Sequence, residues 1–277
     1  MKWYTAFLLI CTALFSALAC NAQQLSPRFY WPSPRGTKVA VAGYSHASGY
    51  VLMDPSIPLY AVNSRINTAF FAYMQNFSLL GRTANYLVEL PYTWGLTEGT
   101  IINTRAERRL SGFNDMGITL AVNLMGAPSM NLAEFQQLRN NPRMILGMSI
   151  KVQLPTGQYM SDKFINVGTN RWAFNPELGS LIPLFPKLIL EIVTGEWFFT
   201  RDNDYVTGTR KQQPVLSGEI HLVKRFKPGL WASLEGNYCW GGRHKIGDNQ
   251  RGDIQRNAKI CATVAVPDGH RHANKLG

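Results

Sequence analysis

The chain has 277 residues, a formal net charge of +11, 24 glycines and a 12% aromatic share. That length holds one large or two ordinary domains, and the aromatic and glycine content suits a single all-β body. No apolar run after residue 20 is long enough for a membrane-crossing helix. A mean hydropathy of −0.11 is what alternating greasy and polar positions give, so a membrane protein survives only as strands.

The start, MKWYTAFLLICTALFSALACNAQQ, sets Lys2 before an apolar stretch from Ala6 to Leu18, with small residues ahead of Gln23. This is the pattern of a secretory signal cut after Ala22 or Ala19. Residues 1–22 are therefore read as signal peptide and 23–277 as one exported domain. Acylation of Cys20 is the alternative, weakened because Ala17 stands where a large aliphatic residue is usual. Cys11 and Cys20 fall in this leader, and Cys239 and Cys261 are expected to stay thiols, since two cysteines make no disulfide framework.

Ten strands are readable in the mature chain by their period of two. The first is Thr37 to Tyr50, whose small residues leave its faces ambiguous. In the second, Ile66, Thr68, Phe70, Ala72 and Met74 oppose Arg65, Asn67, Ala69, Phe71 and Tyr73. Then Ala84, Tyr86, Val88 and Leu90 oppose Asn85 and Glu89, and Met116, Ile118, Leu120, Val122 and Leu124 oppose Asp115, Gly117, Thr119 and Asn123. The fifth separates most cleanly: Met144, Leu146, Met148, Ile150, Val152 and Leu154 oppose Gly147, Ser149, Lys151 and Gln153. Its ten or so residues before Pro155-Thr156-Gly157 are the length of a tilted membrane-crossing strand.

Trp172, Phe174 and Leu178 next oppose Arg171, Asn175 and Glu177, with Pro176 lacking a ladder donor. Leu188 to Phe199 is apolar on both faces apart from Glu191 and Glu196, so its orientation stays open. Leu216, Ile220 and Leu222 oppose Ser217, Glu219 and His221. Leu230, Ala232, Leu234, Gly236 and Tyr238 oppose Ser233, Glu235 and Asn237, and Ala258, Ile260, Ala262, Val264 and Val266 oppose Asn257, Lys259 and Thr263.

The links sort by length. Those after the second, sixth, eighth and tenth strands are tight: Ser78 to Gly81, Pro183 to Pro186, Lys227 to Gly229, and Pro267 to His270. Those after the first, third, fifth, seventh and ninth are long and polar. Outer-membrane barrels alternate in this way, with short periplasmic turns and longer external loops. The exception is Ala127 to Pro142 on the short side, whose run from Asn131 has the form of a brief helix with an Asn cap. The expected fold is an antiparallel transmembrane β-barrel, ten strands readable.

Four segments carry a resemblance: Arg109-Leu-Ser-Gly-Phe-Asn-Asp-Met-Gly, Lys151-Val-Gln-Leu-Pro-Thr-Gly-Gln-Tyr, Gly168-Thr-Asn-Arg-Trp-Ala-Phe-Asn-Pro-Glu-Leu-Gly and Trp197-Phe-Phe-Thr. They resemble the bacterial family labelled "putative meta-pathway of phenol degradation", from about Pro34 to the last residue. The resemblance implies a transporter-like barrel of the bacterial outer membrane, with no catalytic residues to carry over. It also implies twelve strands. His272 to Gly277 has the form of the start of an eleventh, so either the tenth strand pairs with the first in a smaller barrel or a gap stays open at the C-terminal side; the gap is the expectation, because a sequence tuned to one strand number and shear does not re-register to another.

Chemistry is sparse, and no enzyme, cofactor or metal is expected: no phosphate-cradling glycine loop, no Cys-x-x-Cys pair and no His-Glu-x-x-His helix. His221 shares a wet face with Ser217 and Glu219, but a triad is recognised by converging geometry, and a lipid hydrolase would turn such a set toward lipid. The His270-Arg271-His272 cluster reads as a solvated turn. Basic residues are dispersed in the external links (Arg105, Arg108, Arg109; Arg210, Lys211; Arg243, Lys245, Arg251), which disfavours nucleic acid and fits outer-membrane lipid and anionic lipopolysaccharide. Two functions remain. One is a channel for small, aromatic or hydrophobic molecules, lined by Arg65, Asn67, Glu89, Asp115, Asn123, Lys151, Gln153, Glu219, His221, Glu235, Asn237 and Lys259. The other is a non-conducting structural or adhesive barrel, because mixed charges inside a barrel can pair and plug it.

Overall fold

A strand with one apolar and one polar face must place them in different surroundings, and a curled sheet does this for all its strands at once. The computed structural model describes residues 27–50, 59–101, 104–206 and 208–267; the signal peptide and the strand start at His272–Gly277 lie outside them. All ten segments read as strands form strands. They are β1 (Lys38–Tyr50), β2 (Leu59–Leu79), β3 (Arg82–Ile101), β5 (Gly117–Met125), β6 (Ile145–Gln153), β7 (Ala173–Phe185), β8 (Leu188–Phe199), β11 (Val215–Lys227), β12 (Leu230–Gly241) and β15 (Gln255–Ala265). They follow one another antiparallel in one curled sheet, a half-barrel with β1 and β15 at its two edges.

The tight turns have the chemistry that hairpins need. Leu80 and Gly81 both have positive φ (49° and 75°), the requirement of a two-residue turn whose twist matches its strands. Pro228 followed by Gly229 at φ 81° closes the β11–β12 hairpin. Pro176 leaves the mark expected of a missing donor, since the β7–β8 ladder skips from Phe174↔Phe198 to Glu177↔Gly195.

Three long links turn out to be regular. The link after the third strand contains β4 (Thr104–Phe113), which pairs with the upper half of β3 while β5 pairs with the lower half. Arg105, Glu107 and Arg109 are exposed on one side, and the covered side offers Ala106, Arg108, Leu110 and Gly112, so β4 has no continuous apolar face to announce it. β2 and β3 run 21 and 20 residues, about twice the 9–11 that a tilted crossing needs. Their outer halves therefore project past the wall. The seventh and ninth links supply β9 (Asp202–Tyr205), β10 (Gly208–Gln212), β13 (His244–Ile246) and β14 (Asn249–Gln250), a separate sheet in the order β14-β13-β10-β9.

At the short-turn end the expected helix is present as α1 (Leu132–Asn140), with a full capping box between Asn131 and Glu134. It and the segment Phe29–Trp31 pack on the concave face, where Tyr30, Met130, Leu138, Ile145, Leu181, Ile189, Val193 and Val223 form an apolar core. This fixes the orientation of β8: Ile189, Glu191, Val193 and Trp197 point inward, while Ile192 and Phe198 point outward. The strand reads as apolar on both sides because its inner face joins that core.

The convex face carries the exposed aliphatics, with Ile220 51%, Leu234 55% and Ile260 59% exposed. Ile150 belongs to it and Lys151 to the opposite face, where Lys151 meets Glu89. Ile150→Arg is expected to cost about 2–4 kcal/mol if the position is near the bilayer midplane, whereas Lys151→Gln should fold like the parent. Refolding yield from urea into micelles checks this, and equal yields for the two variants would reverse the face assignment.

Candidate functional site

The concave wall is built by register. His221 on β11 pairs with Glu191 on β8 and with Glu235 on β12, so the three side chains stand in one row across adjacent strands. Glu219 sits two residues along from His221, opposite Asn237. These groups are buried, with Glu191 4%, Glu219 8%, His221 3% and Glu235 8% exposed.

Buried polar groups must satisfy one another. Asn237 Nδ2 donates to Glu219 Oε1 (3.0 Å), whose other oxygen lies 3.2 Å from His221 Nε2. Ser233 and Thr263 hydroxyls both donate to Glu235 Oε1, at 2.7 and 2.6 Å. Ser149 Oγ and Asn175 Nδ2 donate to the two oxygens of Glu177, at 3.1 and 2.5 Å. The backbone N–H of Arg28 donates to Glu191 Oε2 at 2.7 Å. The wall is thus acidic, its carboxylates held by hydroxyl, amide and backbone donors.

Other expected lining residues fall in different places. Lys151 Nζ lies 2.6 Å from Glu89 Oε2, a cross-strand ion pair on the concave side. Asn123 Nδ2 donates to the Tyr30 carbonyl at 3.2 Å and so holds the inner segment. Gln153 is half-buried on the ladder between Gly117 and Ala173, and Lys259 is half-buried opposite Asn237. Arg65 and Asn67 are on the other face: the core-facing Ala121 is opposite Asn85, which pairs with Asn76, and Asn76 lies an odd number of positions from both. In the projecting half of β2 the inner side is polar too, with Ser64 bonded to Thr97 and Thr68 to Thr93, so charge there does not report the inside. Arg65 instead meets Glu98 at 3.7 Å, and Asn67 Oδ1 accepts from Tyr44. The cysteines remain thiols, with Cys239 Sγ donating to Asn237 Oδ1.

Glu177, Asn175 and Glu191 join the wall without having been singled out. The first two stand in the right alternation around Pro176, and that signal could have found them. Glu191 sits on a strand whose faces could not be told apart, because both are apolar.

At the long-link end Asp115, in the break between β4 and β5, is 3% exposed. Its carboxylate accepts from Gly157 N (2.8 Å), Thr169 N (2.8 Å) and Thr169 Oγ1 (2.6 Å), closing the link between β6 and β7 into a loop. Gly157 and Gly168 touch backbone to backbone there, leaving no room for a Cβ on either. Asp202, fully buried, accepts from Tyr159 OH (2.8 Å) and Asn170 Nδ2 (2.9 Å) and pairs with Arg210 (3.4 Å), clipping this loop to the small sheet. Burial and Asp202 push the Tyr159 phenol up, so it stays a donor. His244 is anchored to Asp253 through its N–H (2.9 Å) and Nδ1 (2.5 Å), and burial holds its imidazole below the usual range.

A family model described as "Putative MetA-pathway of phenol degradation" matches residues 47–265. Among solved structures, an outer membrane channel from Pseudomonas putida F1 is similar at a TM-score of 0.67 and 18% identity, covering 87% of this chain and 86% of that one. Its likeness is one of fold. No curated protein matches the chain.

Asp115→Ala removes three hydrogen bonds to a charged acceptor, each worth about 1.5–3 kcal/mol. The loop should open at least about tenfold more often, and trypsin should cut after Lys163 correspondingly faster. An unchanged cleavage rate in the folded protein would show that Asp115 does not hold the loop.

Proposed function

We propose that this chain, which belongs to the family described as "Putative MetA-pathway of phenol degradation", is a channel of the bacterial outer membrane that passes small molecules along its concave wall. One observation carries the reading. On the same strands, large aliphatics are exposed on the convex face while Glu219, His221 and Glu235 are buried on the concave one. A water-soluble sheet would reverse that arrangement, and a barrel in lipid requires it. The similar fold of a protein described as an outer membrane channel supports the same reading.

The family's description points to small aromatic molecules as cargo. A carboxylate-lined wall favours neutral or cationic species over anions. The short turns face the periplasm and the long links the outside, where Arg105, Arg109, Lys211 and Arg243 suit the phosphates of lipopolysaccharide. A second reading, a non-conducting barrel, draws on the apolar core that occupies the short-turn end.

Planar-bilayer recording separates the two. Discrete conductance steps are expected, with a reversal potential in a KCl gradient that shows preference for the cation. Glu219→Gln with Glu235→Gln should shift that potential toward zero while steps persist. Complete absence of conductance from assembled protein would discard the channel in favour of the second reading.

A further inference from the structure

Arg171 lies two residues before β7, 8% exposed, with its guanidinium 4.4 Å from the centre of the Phe199 ring. Its Nη2 donates to Gln212 Oε1, while Nη1 is buried and has no hydrogen-bond partner among the described residues. Phe199 in turn stacks on Trp197 at 6.4 Å and 13°. Trp197 is 2% exposed, and its Nε1 is likewise buried without an acceptor among the described residues. Guanidinium, phenyl and indole thus follow one another on the concave face beneath the small sheet, with an unused donor at each end.

The surroundings leave this arginine short of negative charge. Burial, and then the neighbouring charge of Arg210, pull its pKa down to about 9, which still leaves it a cation at neutral pH. Asp202 is committed to Tyr159, Asn170 and Arg210, and Asp115 to Gly157 and Thr169. No ion pair within 4 Å reaches Arg171 among the described residues. Asp202 and Asp115 favour its charge from a distance, but a buried guanidinium with no direct ion-pair partner is costly, and its planar fork matches a carboxylate best.

We infer that Arg171, with the Phe199–Trp197 shelf beside it, is a binding position for the carboxylate of a small organic acid at the long-link mouth. The carboxylate takes the free Nη1, and the body of the acid packs against the half-buried Phe199 ring, which rests on Trp197. The acidic wall below repels an anion, so the ligand is held at the mouth and not drawn inward. This goes beyond conduction and does not depend on it.

The test is calorimetric titration of the full chain in detergent micelles with sodium benzoate, phenol and benzylamine, each as a separate probe. Benzoate is expected to bind saturably and quench tryptophan fluorescence, while the neutral and cationic analogues do not. Arg171→Gln should weaken benzoate about 10- to 100-fold, the range of a charge-assisted hydrogen bond. Arg171→Lys, which keeps the charge and the fold, should weaken it less, and Lys211→Gln, at an exposed neighbour, should leave it unchanged. Absence of saturable benzoate binding to the parent, equal binding of phenol, or an Arg171→Gln affinity equal to the parent would each overturn the assignment. Binding in micelles needs no conducting path, so a silent bilayer and a failed titration remain distinct results.

Discussion

Hydrocarbon offers no hydrogen bonds, so every backbone N–H and C=O that faces it must be satisfied by the neighbouring strand. A sheet meets that demand only by continuous pairing, and pairing dictates that side chains alternate between lipid and interior. For the outer-membrane barrel proposed above, the rest of the molecule follows from it. Outward positions become Ile, Leu, Val and aromatics, whatever the inward positions are doing. The inward positions gain freedom to be polar, but lose bulk water where they are buried. That is why Glu177, Glu219 and Glu235 each have donors arranged on the strand beside or along them.

The interior is not uniform, because the chain returns to it. Tyr30 lies against Gly147 and Gly179, paired across β6 and β7, where a Cβ on either strand would overlap its ring. Its hydroxyl meets Ser149 at 2.9 Å, the same Ser149 that donates to Glu177. The stacked guanidinium of Arg225 on Trp31, and that of Arg28 between Trp31 and Trp231, seat the segment beside the short turns. The inner segment is therefore bonded into the polar wall as well as packed on the apolar core. A single tyrosine joins the two.

What the sequence disclosed and what it hid divide along this line. Wherever the convex side was apolar and the concave side polar, the period of two was clean, as at Met144–Leu154 and Leu216–Leu222, and both the strand and its orientation were legible. It failed where the two sides became alike. β8 turns Ile192 and Phe198 outward and packs Ile189 and Val193 into the Tyr30 core, so both sides are greasy. β4 and the upper half of β2 carry polar residues on both sides, so Arg65 and Asn67 looked like lining residues and β4 looked like a loop. The small sheet was hidden for a third reason: β9, β10, β13 and β14 are two to five residues each, too short for a period to repeat. Long-range partners such as Asp115 with Thr169 have no local signature, although both lie in segments that carried the family resemblance.

In the channel proposed above, the site orders its charges in sequence. Arg171, without an ion pair of its own, stands at the long-link mouth beside Arg210, which is paired with Asp202, and the carboxylates of Glu177, Glu219, Glu235 and Glu191 follow on the wall. Opposite fields in series treat molecules by their charge in different ways. An anion is concentrated at the mouth and opposed by the wall, while a cation is opposed at the mouth and stabilised within. A neutral aromatic molecule experiences neither field strongly and responds mainly to width and to the rings of Trp197 and Phe199. The arrangement is therefore most permissive to uncharged cargo, and each charged class meets one obstacle, at opposite ends of the same path.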